Sequence, residues 1–250
     1  MLARWSLRGR SPGRIRRHRP KVVLVIASEL DSHAQQLVEN WPGSQALLMT
    51  PRDLCRKGWR IQLGRIEDGC VVANGETLPV SKLKGILNLL PCVFDYELFT
   101  IEPASRRYVA AELTALLFYL LATIKCPVLN RPTANNLTGP DWRPEQWVQA
   151  CRKVGIPTNK THRNSRVSIT TEASGDSYLS LSAIGNTCVA GKTAPYAAHV
   201  IALARLAGVT FLTVTFVERQ GSKFFHSTQL APDLRDGKLV SAIQAYFQDY

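Results

Sequence analysis

The segment that most constrains this chain is residues 22–27, VVLVIA, six consecutive apolar residues of which four are β-branched. A strand with one wet face would alternate apolar and polar side chains. An unbroken run this short reads instead as a strand buried on both faces, the pattern of a parallel sheet. The next residues, Ser28-Glu29-Leu30-Asp31-Ser32, form a loop with helix-capping chemistry. Ala34, Leu37, Val38 and Trp41 then recur at helical spacing until Pro42-Gly43 stops them. Residues 45–49 read as a second strand, and Thr50-Pro51-Arg52-Asp53-Leu54 starts a short turn. This β-α-β opening implies a right-handed crossover and commits the chain to an α/β fold.

Further elements follow from the same signals. Residues 61–63, 70–73 and 76–78 read as short hairpin strands, with Asn74-Gly75 as a strong hairpin turn. LKGILNLL at 83–90 reads as another core strand, and residues 108–123 as the best helix in the chain. Residues 127–130 form a strand ended by Arg131-Pro132, and 144–154 a helix with proline in its first turn, closed by Gly155. Beyond 163 the chain turns polar, with one possible strand at 167–171. Strands are then expected at 178–184, 187–190, 209–217 and 224–230, and helices at 197–206 and 238–247.

A chain of 250 residues, 45% hydrophobic, has room for one large or two small globular domains. No apolar run approaches the roughly 18 residues that cross a bilayer. The formal charge of +12 is uneven: eight cations, from Arg4 to Lys21, precede the first acid, Glu29, and leave +4 for the rest. The whole-chain charge is therefore no argument for a nucleic-acid-binding fold. Three readings of residues 1–20 stay open: a disordered tail or misplaced start, an electrostatic contact with nucleic acid or membrane, and a targeting segment. The six cysteines, at 55, 70, 92, 126, 151 and 188, form no CxxC pair and sit mostly among apolar neighbours. They read as small core residues in a reducing cytoplasm.

Three stretches, taken in order, carry a resemblance. Asp31-Ser32-His33-Ala34 lies in the first loop. Arg107-Tyr108 and Glu112 open the leucine-rich helix that runs into Cys126-Pro127-Val128-Leu129-Asn130-Arg131-Pro132. Gln146, Ala150, Gly155-Ile156-Pro157-Thr158 and Thr161 follow. Over about residues 21–163 the chain resembles the ATP-grasp superfamily, in its glutathione-synthetase-like and peptide-maturase branches. The resemblance implies a pre-ATP-grasp parallel β-α-β domain over 21–132, followed by a shortened ATP-grasp-like α+β domain over 133–250. It also implies that the loop with Asp31 and His33 faces the substrate cleft. The residues themselves offer Asn130 and Arg131 as a polar anchor at a strand end, with Arg131 placed to pair with a carboxylate. From the residues alone, a helix cap at Asp31 or Ser32 and a turn fixed by Pro132 account for the same positions.

The chemistry such a ligase performs is demanding. It phosphorylates a carboxylate with ATP, and an amine displaces the phosphate, so cations must neutralise phosphates and carboxylates must hold Mg²⁺. Here the expected Asp-Lys is Asp141-Trp142, with Arg143 the nearest cation. Only fifteen residues, 164–178, stand where the family spends about a hundred on its nucleotide clamp. Ser180 and Ser182 occupy the strand that usually carries arginine, Thr213 to Thr215 the region of the first metal carboxylate, and His226-Ser227-Thr228 that of the closing Glu-x-Asn. Ala190-Gly191-Lys192-Thr193 looks like a phosphate loop, but Gly185 is one position too far upstream, and the segment reads as an ordinary loop. His162, His199 and His226 are scattered, and no hydrolase elbow is present.

The expectation is a catalytically degenerate ATP-grasp-like protein with no catalytic residues, no metal site and no cofactor. It would recognise a peptide, an amino-acid-like ligand or a partner ligase, and associate as a homo-oligomer or as a heteromer with an active ligase. The alternative is a compact ATP-dependent carboxylate–amine ligase using Mg²⁺, with Arg143, Lys160 and Lys192 on the phosphates.

Overall fold

A computed structural model describes residues 21–158, 177–189, 195–219 and 221–250. The expected strand at 167–171 lies outside them. The run that opens the sequence forms β1 (Val22–Ile26), followed by α1 (Ser32–Glu39) and β2 (Ala46–Met49). A short helix α2 (Pro51–Leu54) leads to the hairpin β3 (Cys70–Ala73) and β4 (Glu76–Pro79). β5 (Leu83–Asn88), the long helix α3 (Arg106–Thr123) and β6 (Val128–Leu129) complete the first half. The four core strands pair in parallel in the order β2-β1-β5-β6.

Alternation along these strands shows why the run at 22–27 has no polar member. Val23, Val25, Leu87 and Leu129 face one side of the sheet, where α1 packs through Ala34 and Leu37, with Trp41 just beyond its end. Leu24, Ile26, Ile86 and Val128 face the other, against Leu117, Leu120 and Leu121 of α3 and Val71, Ala73 and Leu78 of the hairpin. Both faces are dry, as in any parallel sheet clothed by its crossovers. The hairpin turns at Asn74-Gly75, where φ is +49° and +75°. Two consecutive positive φ values define the tight turn for which this pair is favoured. The expected strand at 61–63 is not formed; only Arg60 bridges to Cys70.

The second half starts with α4 (Pro144–Lys153) and forms an antiparallel sheet from β7 (Ser177–Ile184), β8 (Thr187–Cys188), β9 (Phe211–Arg219) and β10 (Ser222–Gln229), in the order β10-β9-β7-β8. Between β8 and β9 runs α5 (Ala197–Leu206). Helices α4 and α5 cover one face: Trp147, Ala150 and Cys151 with Val200, Leu203 and Ala204 pack on Leu181, Leu212, Val214 and Phe216. The last helix, α6 (Gly237–Gln248), returns to the parallel sheet and lays Leu239, Ile243 and Phe247 beside α1. Gly85 in β5 admits the Phe247 ring; a Cβ there would overlap it. Among the described residues no helix is long and apolar enough to cross a membrane.

Candidate functional site

Strands of an open parallel sheet present ligands at their carboxyl edge. Asp31 lies there, in the loop after β1. Its Oδ1 accepts from the His33 and Ala34 amides at 3.1 and 3.0 Å, which caps α1. The side chain of His33 stays exposed. Facing both is the segment after β10. Asp31, His33 and Leu89 from the parallel half, and Pro232, Asp233 and Arg235 from the antiparallel half, line a cleft of about 220 Å³. Arg235 donates to both carboxylate oxygens of Asp233 from Nε and Nη2, each at 2.8 Å. The cleft thus offers carboxylates, a guanidinium and an imidazole within one small volume, a donor–acceptor set that suits a peptide or amino-acid ligand.

The Arg235 bonds and charge, with a smaller contribution from His33, lower the Asp233 carboxyl from its ordinary 3.8 to about 2. A depressed carboxylate stabilises the fold above its ordinary value and loses that contribution as pH falls through the depressed one. The window here is pH 4 down to 2. Arg235→Ala is expected to return the Asp233 midpoint to near the ordinary carboxylate range, read as the pH dependence of its side-chain carbon shift by NMR.

Asn130 and Arg131, expected as a polar anchor at a strand end, both bond to backbone groups of the chain itself. Asn130 is fully buried at the end of β6. Its amide nitrogen donates to the carbonyls of Phe211 and Leu230 at 2.9 and 3.1 Å. Its oxygen accepts from the amides of Thr210 and Phe211 at 3.1 and 2.7 Å. Two donors and two lone pairs are the whole capacity of the group, so no polar atom is left for a ligand. Arg131 donates to the carbonyls of Leu121, Ile124 and Cys126 at 3.0, 3.0 and 3.2 Å and closes the end of α3. Both side chains serve backbone groups at the ends of secondary structure, one across the two halves and one within the first.

The positions where the resemblance implies arginine and metal carboxylates come together on one face of the antiparallel sheet, opposite α4 and α5. Ser180 is paired with Thr215, which is paired in turn with Ser227; Ser182 is paired with Thr213. The hydroxyls of Ser180 and Thr215 lie 3.0 Å apart, and those of Ser182 and Thr213 2.7 Å. The result is a ladder of neutral hydroxyls bonded to one another. Among the described residues no group of three His, Cys, Asp or Glu is placed to hold a metal ion. Of the three cations in the alternative reading, Arg143 is exposed at the start of α4, which covers the other face of this sheet. Lys160 and Lys192 lie outside the described residues, as does the 190–193 loop.

None of the six cysteines is in a disulfide. Burial pushes the thiol of Cys126 up to about 11 and that of Cys151 up to about 12, so neither is a thiolate nucleophile near neutrality.

A parallel sheet clothed on both faces, followed by an antiparallel sheet backed by two helices, with a cleft where their edges meet, defines a mixed α/β protein. No protein-family model matches the chain, and no curated protein sequence does. Solved structures do. The macrocyclase MdnC of Microcystis aeruginosa MRC, bound with precursor peptide MdnA, superposes with a TM-score of 0.66 at 10% identity, over 92% of this chain and 100% of that one. The ATP-grasp ligase PsnB complexed with a minimal precursor gives 0.64 at 11%, over 92% and 99%. The RiPP-associated ATP-grasp ligase of Chryseobacterium gregarium, in complex with ADP and a leader and core peptide, gives 0.61 at 8%, over 92% and 96%. The chain therefore shares the fold of these ATP-grasp ligases and of the macrocyclase.

Proposed function

We propose that this chain is a catalytically degenerate ATP-grasp-like protein, an accessory or binding subunit that recognises a peptide or amino-acid-like substrate or a partner ligase. The hydroxyl ladder carries this reading. Phosphoryl transfer between a carboxylate and ATP spreads charge over phosphate oxygens, and that charge needs Mg²⁺ held by carboxylates and a cationic cradle. Ser180, Ser182, Thr213 and Thr215 supply neither, and their hydroxyls are already occupied with each other. A peptide as ligand is supported by three solved neighbours, one bound with a precursor peptide, one with a leader and core peptide and one with a minimal precursor. The cleft at Asp31, His33, Asp233 and Arg235 is its proposed seat, with Asp31 also capping α1. The partner is a second copy of the chain or an active ATP-grasp ligase.

Calorimetric titration with ATP, with and without Mg²⁺, tests the reading. No heat is expected at millimolar nucleotide. Saturable, Mg²⁺-dependent binding of ATP would overturn it in favour of a compact carboxylate–amine ligase, with Arg143, Lys160 and Lys192 as the cations to mutate first.

A further inference from the structure

The amino edge of the parallel sheet, opposite the cleft, has a different chemistry. Lys21 stands there just before β1, and Lys125 between the end of α3 and β6. Residues 60–67 reach the same edge: Glu67 Oε1 is 3.1 Å from Lys125 Nζ, and the Gly64 amide donates to the Tyr119 hydroxyl near the end of α3, also at 3.1 Å. The chain turns tightly at this point. The Arg65 amide donates to the Gln62 carbonyl at 3.1 Å, with Gly64 at φ +76°, the left-handed value a type II turn requires at its third residue. Leu63 is thereby set at the tip. It is 79% exposed, more than any other large apolar side chain among the described residues. A lone exposed leucine is ordinary, but its rim here is not. Lys21, Arg60 and Arg65 are exposed, and none of them has a carboxylate within ion-pair distance among the described residues. The acids of the segment are Glu67, answered by Lys125, and Asp68, whose carbonyl accepts from Arg60 Nη2 at 3.1 Å. Glu39 and Asp249 end α1 and α6 on the other face of the sheet. Residues 1–20, which join at Lys21, add seven arginines and no acid.

We propose that this turn is a docking surface for an anionic lipid bilayer. Leu63 enters the boundary between headgroups and acyl chains, and Lys21, Arg60 and Arg65 lie against the lipid phosphates. Cations near a bilayer surface attract anionic lipid through its negative potential, and an apolar anchor holds the contact at short range; the two signals together give stable peripheral binding where either alone is marginal. A nucleic acid would satisfy the cations as well, but its bases are gripped by aromatic faces and guanidinium planes, and the tip presents a leucine. The hydrogen bond from Gly64 to Tyr119 fixes the tip in place, so insertion costs little ordering of the loop. The cleft at Asp31 and Asp233 lies at the opposite edge of the sheet and stays open to a peptide while the chain is docked. The docking surface is independent of the function proposed above, since an active ligase and an accessory protein can both have it.

The test is co-sedimentation of the full chain with vesicles of phosphatidylcholine alone and of phosphatidylcholine with about 30% phosphatidylserine. Binding is expected to the mixed vesicles only, and to weaken steeply between about 0.1 and 0.5 M salt. Leu63→Ser should weaken it roughly five-fold or more, by removing the apolar anchor. Arg65→Ala should weaken it about five-fold, by removing one cation from the surface. Both positions are exposed, so the melting temperature should stay that of the parent protein. Leu63→Trp supplies a readout that does not depend on lost binding: its emission should gain a blue-shifted component on the mixed vesicles, quenched by brominated acyl chains, that the parent protein lacks. The proposal is overturned if the mixed vesicles do not sediment the chain, or if phosphatidylcholine alone sediments it equally. It is equally overturned if Leu63→Ser and Arg65→Ala bind as the parent does, which assigns the contact to residues 1–20. A duplex DNA or single-stranded RNA bound at the same salt, with affinity reduced by Arg65→Ala but not by Leu63→Ser, would replace the bilayer with a nucleic acid.

Discussion

Asn130→Ala is expected to lower the unfolding free energy by about 3–5 kcal/mol. The amide makes four hydrogen bonds, all to backbone groups 80 to 100 residues away in sequence. Removing it leaves two N–H and two C=O groups without partners where the halves meet. The two at Phe211 lie in fully buried surroundings and carry most of the penalty; those at Thr210 and Leu230 are partly buried and recover some of it from water. Asn130→Asp should be nearly as damaging. It keeps an acceptor for the Thr210 and Phe211 amides but sets a carboxylate against the carbonyls of Phe211 and Leu230. Arg131→Ala is the comparison. Its three carbonyl partners end a helix near solvent, so about 1 kcal/mol is expected. Urea unfolding followed by circular dichroism reads all three. An Asn130→Ala midpoint within about 1 kcal/mol of the parent protein's would show that the amide does not join the halves.

Phe247→Ala should cost about 3–5 kcal/mol, and Gly85→Ala about 1–3 kcal/mol, although alanine is ordinarily the better residue in a strand. Both effects come from one contact. Phe247 is 1% exposed, lies with its ring centroid 6.2 Å from that of Trp41, and fills the space above Gly85 that a Cβ would take. Lys84 reinforces the contact by donating to the Gln248 carbonyl at 3.0 Å, which ties the end of α6 to β5. In the double substitution Gly85→Ala, Phe247→Ala the methyl group no longer meets a ring. The combined cost should therefore fall short of the sum of the single costs by about 1 kcal/mol or more. Additive costs in denaturant titrations would mean that α6 docks elsewhere. The consequence reaches the candidate site: α6 begins at Gly237, directly after Asp233 and Arg235, so loosening it frees one wall of the cleft.

Much of the molecule was legible in local pattern. The dry run at 22–27, the leucine-rich helix, Asn74-Gly75 between two short strands, and the alternation in β9 each reflect hydrogen bonds and side-chain directions set by near neighbours, so reading along the chain recovers them. The expected strand at 61–63 failed because three residues without a partner strand make no ladder; the chain there touches the sheet only through the bridge of Arg60 to Cys70. The Asn-Arg-Pro stretch was visible as a motif, but its use was not, since the partners of Asn130 come 80 residues later and more.

The candidate sites divide along the same line. The sequence by itself determined which chemistry is scarce: with Ser180, Ser182, Thr213 and Thr215 in their strands, no arrangement of those side chains supplies a carboxylate or a cation. Only the tertiary structure decided which residues meet. It set the Asp233–Arg235 pair across from Asp31 and His33, two hundred residues earlier. An isolated Asp or Glu in a sequence looks like any solvated charge. The partners that give it meaning are properties of the packed chain.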